Sequence, residues 1–251
     1  MIDLHSHLLP GIDDGAETIE DTLAMAEIAV ESGVRAMVAT PHCNIPDYYD
    51  NYYDERLRAH FEMVQNALEQ HHIPLKLMLG MEVFGTRNVS ELLRRGRLTT
   101  LNQSNYLLIE FDFQEDLRLI DRVLEELLQM GVTPIVAHPE RYPYVQQYPE
   151  MVYDWVCRGC RMQSNRGSVL GRFGRRVQAT VIELLEHDLV SFLASDAHSP
   201  YARTPSMYGV WTFMERHFSP ELARALLSDN PRCVVENRRL PSLHPRSFED
   251  D

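Results

Sequence analysis

Imidazole side chains stand at, or just after, the carboxyl ends of apolar runs in this chain, and this placement limits the folds open to it. Five of the eleven histidines follow this rule: His5, His7, His42, His138 and His198. Two glutamates, Glu82 and Glu110, end further runs in the same way. Strand ends that face one way build a pocket, and imidazoles gathered there with carboxylates indicate a metal site.

The apolar runs alternate with amphipathic stretches. The runs predicted as strands span residues 2–5, 34–40, 75–83, 106–111, 132–137, 160–165 and 189–195. Apolar residues at helical spacing lie between most of them, as at Ile19, Leu23, Ala26 and Val30. Short strands that alternate with helices favour an α/β fold with a parallel sheet. Seven such units predict one closed or nearly closed barrel, with its site at the carboxyl ends of the strands.

Length and composition narrow the class of protein. No break in composition divides the 251 residues, so we expect a single domain over residues 1–239 and a tail at 240–251. The net charge of −13 argues against general nucleic-acid binding, because phosphate backbones attract basic surfaces. The chain shows no apolar run of about 20 residues and no signal-peptide pattern, so no membrane insertion is expected. Four cysteines without disulfide spacing favour a cytoplasmic protein.

The metal hypothesis rests on a set of side chains rather than on one motif. His5 and His7 are alternate residues of a predicted strand and therefore face the same side. With the acidic residues included, the candidate ligands are His5, His7, Asp14, His42, Glu82, Glu110, His138, Asp196 and His198. Imidazole and carboxylate ligands without thiolate suit manganese, iron or zinc. This set is too large for one ion and fits two or three.

Two arginines suggest what such a site would act on. Divalent ions would outweigh the carboxylates and leave a positive pocket, which suits a phosphate group. Arg141 follows His138 by three residues and Arg203 follows His198 by five, so both are candidates for bidentate contacts to phosphate oxygens. Taken alone, each arginine would fit a surface ion pair equally well. Together with the ligand set, they favour a metal-dependent hydrolase of phosphate esters.

The segments around these residues resemble the PHP (polymerase and histidinol phosphatase) superfamily. The resemblance is carried by the His-x-His start and by IDDG at 12–15, ATPH at 39–42, GME at 80–82, LIEF at 108–111, AHPER at 137–141 and ASDAH at 194–198. Within the superfamily, these segments are similar to the bacterial tyrosine phosphatases of capsule and exopolysaccharide operons, the CpsB/YwqE type. The match runs from Met1 to about Asn237.

The resemblance implies a distorted (β/α)7 barrel of the PHP type with three divalent ions, usually manganese, with iron, cobalt or zinc as alternatives. It implies one ion held by His5, His7, Glu82 and Asp196, a second by Glu82, Glu110 and His138, and a third by Asp14, His42 and His198. Arg141 and Arg203 match phosphate-contacting positions. A metal-activated hydroxide would hydrolyse phosphotyrosine directly, on the tail of a bacterial tyrosine kinase that regulates capsule or exopolysaccharide synthesis. A homo-oligomer is left open.

Two segments bear on specificity. After Gln163-Ser-Asn165 the family usually has serine, whereas this chain has Arg166, which either adds a positive charge near the pocket or faces solvent. Residues 43–53 are rich in tyrosine and asparagine. They follow a ligand-bearing run and form either part of the substrate rim or an ordinary surface loop.

Other functions stay open at this point. One is a small-molecule phosphomonoesterase, such as a histidinol phosphatase, on the same scaffold. Another is a degenerate, metal-binding partner of the polysaccharide machinery, although the complete ligand set speaks against it. Cys160 and Arg166 have the spacing of the cysteine-based phosphatases, but no glycine lies between them and Cys160 begins a predicted strand. We therefore expect Cys160 to be a buried structural residue.

Overall fold

The computed structural model describes residues 1–248 and has a mixed α/β fold. The strands are β1 (Ile2–Ser6), β2 (Ala36–Ala39), β3 (His42–Ile45), β4 (Tyr49–Asp50), β5 (Lys76–Leu79), β6 (Glu82–Phe84), β7 (Tyr106–Glu110), β8 (Thr133–Ala137), β9 (Arg161–Asn165) and β10 (Phe192–Ala194). The helices are α1 (Ile19–Glu31), α2 (Glu55–Gln70), α3 (Val89–Arg94), α4 (Leu117–Gln129), α5 (Pro143–Gln147), α6 (Glu150–Arg158), α7 (Arg166–Val169), α8 (Arg175–Glu186), α9 (Tyr208–His217), α10 (Pro220–Arg224) and α11 (Asn230–Val235).

The strands form two sheets in which neighbours run parallel, apart from the antiparallel pair of β3 and β4. One sheet has the order β1-β2-β5, and the other has the order β10-β9-β8-β7-β6-β3-β4. Helices connect most successive strands, so the predicted alternation of strand and helix is confirmed. Parallel neighbours place their carboxyl ends at the same edge, which is where the predicted ligands lie.

Two predicted strands are each divided in the structure. The run 34–40 contains β2 and leads into β3, and the run 75–83 contains β5 and leads into β6. Pro41 lies between β2 and β3 and has no N–H to donate, so the ladder breaks there. The second break lies alongside the first, because Gly80 N donates to Ala39 O at 2.8 Å and Glu82 N donates to Pro41 O at 3.2 Å. The apolar pattern continues through both breaks and therefore does not reveal them.

The first strand lies beside the segment that follows the last strand. An isolated parallel bridge pairs Ser6 with Ala197. The buried carboxyl group of Asp3 accepts hydrogen bonds from Ser195 N at 3.0 Å and from His5 N at 3.3 Å. These contacts place the histidines of β1 next to the residues after β10.

The helices cover the sheets with apolar stripes. The buried residues of α4 recur at spacings of three and four: Ile120, Val123, Leu124 and Leu127. The side chain of Thr18 caps α1 by accepting from Asp21 N. Within residues 1–248, no helix is long and apolar enough to cross a membrane.

The segment from residue 240 onward contacts the body of the protein. Leu240 is buried, and its backbone N–H donates to Tyr106 Oη at 3.2 Å. Phe248 stacks on His187 with ring centroids 3.9 Å apart. The predicted tail extends to residue 251, and residues 249–251 lie outside the described part of the chain. The division of the chain at residue 239 stays a prediction.

Gly85 lies where the ends of β6 and β7 approach each other. A Cβ atom added there would lie 2.2 Å from Cε1 of Phe111, far inside contact distance. We expect Gly85→Ala to lower the free energy of unfolding by about 1–3 kcal/mol through overpacking. Urea denaturation in the presence of a chelator measures this loss without a contribution from metal binding.

The matched control is Gly209→Ala in α9. A Cβ atom there would meet only Leu170 Cδ1, at 3.3 Å. Because alanine favours a helix more than glycine does, this variant should be neutral or slightly stabilised. Equal unfolding midpoints for the two variants would contradict the packing argument.

Candidate metal centre

All nine predicted ligands lie together at the carboxyl edge of the strands. They come from the end of β1 and the loop after it, the starts of β3 and β6, which closely follow the carboxyl ends of β2 and β5, the end of β7, and the residues that follow β8 and β10. Six of them are buried: His5, His7, Glu82, His138, Asp196 and His198. Asp14 is about half exposed, with a side-chain exposure of 51%, and marks the open side of the cluster.

Hydrogen bonds behind His5 and His7 set the tautomers of both rings. His5 Nδ1 lies 2.7 Å from Gln163 Oε1, and His7 Nδ1 lies 2.8 Å from Asp13 Oδ2. Both partners are acceptors, so each Nδ1 carries a proton and each Nε2 presents a lone pair. The two Nε2 atoms lie only 3.2 Å apart. Two buried lone pairs at this distance repel each other unless they share a proton or a metal ion.

Glu82 lies at the centre of the histidines. Its Oε2 atom is 3.0 Å from His5 Nε2, 3.2 Å from His7 Nε2 and 3.2 Å from His42 Nδ1. Its Oε1 atom is 3.0 Å from His138 Nε2. The carboxylate is 1% exposed, and a carboxylate this deeply buried requires positive charge beside it. The position of Glu82 suits a carboxylate that bridges two cations.

Asp196 divides its two oxygens between the histidines and the arginines. Oδ1 lies 3.4 Å from His5 Nε2 and 3.6 Å from His7 Nε2. Oδ2 lies 2.5 Å from Arg203 Nη2 and 3.5 Å from Arg141 Nη1. One carboxylate thus joins the ligand cluster to the two predicted phosphate-binding arginines.

The outer group contains Asp14, His42 and His198. Asp14 Oδ1 lies 3.4 Å from His42 Nε2 and 3.5 Å from His198 Nε2. His198 Nδ1 donates to Asp196 O at 3.0 Å, which leaves its Nε2 lone pair facing Asp14. The ring of Tyr49, from the predicted rim segment 43–53, stacks on His42 at 5.6 Å and 8°. At least this part of the segment therefore borders the site.

Three groups of ligand atoms in the described residues are compact enough to hold one ion each. They are His5, His7 and Asp196; His42, Glu82 and Glu110; and His7, Asp14, His42 and His198. The second predicted set joins Glu82 and Glu110 with His138, whereas the compact group in the structure joins them with His42. His138 is also close, with its Nε2 atom 3.0 Å from Glu82 and 3.8 Å from Glu110. The assignment of each residue to an ion stays a prediction.

The charges of the cluster shift the pKa values of its members. Burial alone would lower the pKa of His42, but the carboxylates of Glu82 and Glu110 outweigh it and raise that pKa to about 9. Burial would also lower the pKa of His7, but Asp13 and other carboxylates outweigh it and raise this pKa well above its usual value. Burial would raise the pKa of Asp196, but His5 and Arg203 hold it well below its usual range. The carboxylate of Asp196 is therefore ionised and ready to bind cations.

Three site residues have left-handed backbone conformations, which side chains other than glycine rarely adopt. The φ angle is +37° at His138, +50° at Asp196 and +25° at Arg203. Each residue lies at or after the end of a strand, where the chain turns sharply. Such strain persists where surrounding contacts hold it, and it concentrates at functional sites.

Residues behind the ligands hold them in place, and their supporting role was not predicted from the sequence. Asp13 accepts from His7, from His42 N at 3.0 Å and from Gly15 N at 2.9 Å. Asn165 donates to Asp196 Oδ2 at 2.5 Å. The signal for Gln163 and Asn165 was available, because they are alternate polar residues at the carboxyl end of a predicted strand. For Asp13 the only signal was its place beside Asp14.

Cys160 does not have the environment of a catalytic thiol. It is buried, and burial raises its pKa to about 12, which keeps the thiol protonated. The guanidinium of Arg166 is already engaged, with Nε donating to Thr204 O at 3.0 Å. These observations speak against the chemistry of the cysteine-based phosphatases.

The chain is similar to known proteins over nearly its whole length. Residues 1–236 match the family model for capsular polysaccharide synthesis, CpsB/CapC. The chain belongs to the CpsB/CapC family. It is 33% identical to the tyrosine-protein phosphatase YwqE of Bacillus subtilis over 240 residues, or 96% of this chain and 93% of YwqE. It is 31% identical to the tyrosine-protein phosphatase CpsB of Streptococcus agalactiae over 246 residues, or 94% of this chain and 99% of CpsB.

Solved structures agree with this family membership. A chain from the crystal structures of YwqE from Bacillus subtilis and CpsB from Streptococcus pneumoniae, described as metal-dependent tyrosine phosphatases, matches with a TM-score of 0.93. That chain is 32% identical, and the match covers 99% of both chains. The lactonase Lmo2620 of Listeria monocytogenes shares the fold alone, with 12% identity, a TM-score of 0.57 and 95% coverage of both chains. The resemblance drawn from the sequence is confirmed at the level of the family.

Asp13 offers a test of how the family site is held in place. In Asp13→Asn, one oxygen becomes an amide N–H₂, so at least one of the three donors that face Asp13 loses its acceptor, and two lose it if the amide nitrogen takes the place of Oδ2. We expect metal affinity to fall by about 10- to 100-fold, as for other carboxylates that orient a ligating histidine. Competition with a coloured chelator measures the affinity. Asp47→Asn, at an exposed left-handed position that asparagine tolerates, is the control, and equal affinities in the two variants would refute the role of Asp13.

The histidines also predict how stability depends on pH. In the protein with metal removed, the pKa values of His5, His7 and His42 are raised and that of His198 is lowered. The histidines with raised pKa values stabilise the folded state fully below about pH 6.5, which is the pKa of histidine in the unfolded chain. This stabilisation is lost as the pH rises through their pKa values in the folded state, which is about 9 for His42. The lowered pKa of His198 changes the stability in the opposite direction, but the three histidines with raised pKa values outnumber it.

We therefore expect the free energy of unfolding of the chelated protein to fall between pH 6.5 and pH 9. Metal affinity should rise over the same range, because protons and metal ions compete for the same lone pairs. Urea denaturation with a chelator, compared with denaturation in excess manganese, measures both effects. Stability of the chelated protein that rises with pH would contradict the assignment.

Proposed function

We propose that this protein is a metal-dependent protein-tyrosine phosphatase that acts on a bacterial tyrosine kinase controlling capsule or exopolysaccharide synthesis. The observation that carries the proposal is the junction at Asp196, where one carboxylate contacts the histidine cluster and also Arg141 and Arg203. Cation ligands and phosphate ligands thus meet at one side chain. The tyrosine-protein phosphatase relatives named above support the choice of substrate.

The donor set fits divalent cations. The Nε2 lone pairs of His5 and His7 converge on each other and on Glu82, and buried groups arranged in this way need positive charge between them. We propose that His5, His7, Glu82 and Asp196 hold one ion, that Glu82, Glu110 and His138 hold a second, and that Asp14, His42 and His198 hold a third. Imidazole and carboxylate donors without thiolate suit manganese, iron or zinc, and we propose manganese as the metal. When bound, such ions supply charge for phosphoryl oxygens and lower the pKa of water in the site.

The chain's own arginines would bind and orient the phosphate. Arg203 is fixed by its 2.5 Å ion pair with Asp196. Arg141 is held over the rings of Phe113 and Phe173, with its Cζ atom 5.3 Å and 4.9 Å from their centroids. Both guanidinium groups remain partly exposed, with side-chain exposures of 23% and 32%, so donors are free for phosphate oxygens. Preorganised donors lose little entropy when the substrate binds.

The same proposal includes the finer architecture. If β2 with β3, and β5 with β6, count as two bent strands, the parallel pairing order runs through seven strands, and the short antiparallel strand β4 lies outside this order. The bridge between Ser6 and Ala197 supports closure of this order into a distorted (β/α)7 barrel, formed by one domain over residues 1–239. Four free cysteines are consistent with the cytoplasm as the compartment of action.

The central experiment measures phosphate release from a phosphotyrosine peptide by the purified protein with manganese. We expect turnover that depends on the metal. Histidinol phosphate and a sugar phosphate serve as comparison substrates. A higher kcat/KM for either one would indicate a small-molecule phosphomonoesterase, and no turnover with manganese, iron, cobalt or zinc would refute the enzymatic proposal.

Replacement of one ligand tests the site itself. His42→Ala removes a donor from the outer group, and we expect kcat/KM to fall by at least about 100-fold as the metal is lost. His71→Ala is the matched control, because His71 is exposed at the end of α2. Full metal content in His42→Ala with unchanged turnover would remove His42 from the site.

A further inference from the structure

A second cavity lies beside the metal-ligand cluster. Its volume is about 260 Å³, and its walls include Arg166, Arg172, Phe173, Tyr201 and Arg203. We call it the arginine pocket. Arg203 belongs to both sites, because it lines the pocket and pairs with Asp196 at 2.5 Å. A ligand in the pocket would therefore be continuous with a phosphate group bound at the cluster.

Local packing builds the pocket. The ring of Phe173 lies against Gly167, where an added Cβ atom would be 2.8 Å from Cε2 of the ring, so only glycine allows this approach. Phe173 also contacts Arg141 from the neighbouring site. On the opposite wall, Ser199 Oγ accepts from Ala202 N at 3.0 Å and from Tyr201 N at 3.3 Å. This turn presents Tyr201 with 87% of its surface exposed.

The charge of the pocket is positive in a protein that is acidic as a whole. None of its described lining residues is acidic, although the chain carries a net charge of −13. Arg166 donates through Nε and Nη2 to the uncharged Thr204, so these hydrogen bonds do not neutralise the charge of its guanidinium. Arg172 is exposed and forms no ion pair that the structure records within residues 1–248. Among the described residues, neither guanidinium therefore has a recorded ion pair, and no lining residue of the pocket carries a carboxylate.

Arg166 and Arg172 line the same pocket and lie near each other. Burial lowers the pKa of Arg166, and the positive charge of Arg172 lowers it further. The negative charge of Asp3 raises it. The repulsion between the two cations would be relieved by an anion placed between them. Guanidinium groups bind carboxylate and phosphate oxygens with matched geometry, and the aromatic walls would pack against the aliphatic part of a peptide.

We propose that the arginine pocket is a substrate subsite that binds an anionic side chain of the peptide near the phosphotyrosine. The inference rests on the proposed phosphatase function and extends it to specificity. An extended peptide advances about 3.4 Å per residue, so a carboxylate within about three residues of the phosphotyrosine would reach the pocket. A second phosphate on the same peptide offers the same chemistry.

The test compares substrates that differ only in this group. One phosphotyrosine peptide carries glutamates at the three positions on each side, a second carries glutamines there, and a third has the glutamines and a second phosphotyrosine. Phenyl phosphate, which reaches only the metal centre, reports the basal activity. With manganese-loaded protein, we expect kcat/KM for the glutamate peptide to exceed that for the glutamine peptide by about tenfold.

Arg172→Glu should abolish this preference and leave kcat/KM for phenyl phosphate within about twofold, since Arg172 lies outside the metal centre. The matched control is Arg175→Glu, which makes the same charge change three residues away, at an exposed position outside the pocket. A preference for the doubly phosphorylated peptide that also needs Arg172 would identify phosphate as the anion. Equal kcat/KM values for all three peptides, or equal losses in both variants, would overturn the proposal.

Binding separates this inference from the phosphatase proposal. Fluorescence anisotropy is measured with glutamate and glutamine peptides that carry a non-hydrolysable phosphonate in place of the phosphate. If phenyl phosphate is not hydrolysed but Arg172→Glu still weakens binding of the glutamate peptide by about tenfold, the subsite stands and the proposed reaction fails. If phenyl phosphate is hydrolysed but peptide affinity is the same with and without the glutamates and is unchanged in Arg172→Glu, the proposed reaction stands and the subsite fails.

Discussion

The buried carboxylate of Glu82 is the group on which the rest of the site depends. Four imidazoles lie within 3.2 Å of its oxygens, and its side chain is almost fully shielded from water. A charge in this position is stable only if cations compensate it. The segments that carry these histidines must therefore meet at one place. The strained backbone at His138 and Asp196 is consistent with that requirement.

Asp196 extends this arrangement from metal ligands to substrate. Its two oxygens face different partners, so any shift of the loop after β10 would disturb the histidines and the arginines together. Arg203 carries the connection further, since it also lines the arginine pocket. Chemistry and specificity are thus coupled through one short segment. In the proposed function, this coupling would let a protein with a net charge of −13 present positive side chains to a phosphorylated peptide.

The family relationship and the geometry support the same reaction from different sides. Family membership rests on similarity over nearly the whole chain. The geometry adds the reason that such a chain can act on phosphate esters without a thiol nucleophile, because its buried cysteines are protonated and its converging lone pairs suit cations. Arg166 is one of the residues that line the arginine pocket.

The sequence by itself determined the alternation of strands and helices and the ligand types at the strand ends, because periodicity and residue chemistry are local properties. It did not reveal the breaks at Pro41 and Gly80, since the apolar pattern continues through them. Only the tertiary structure placed Asp13 behind His7 and gathered Arg166, Arg172 and Arg203 around one cavity. Those relations depend on how strands pair and how the loops after them turn, which the spacing of residues along the chain does not determine.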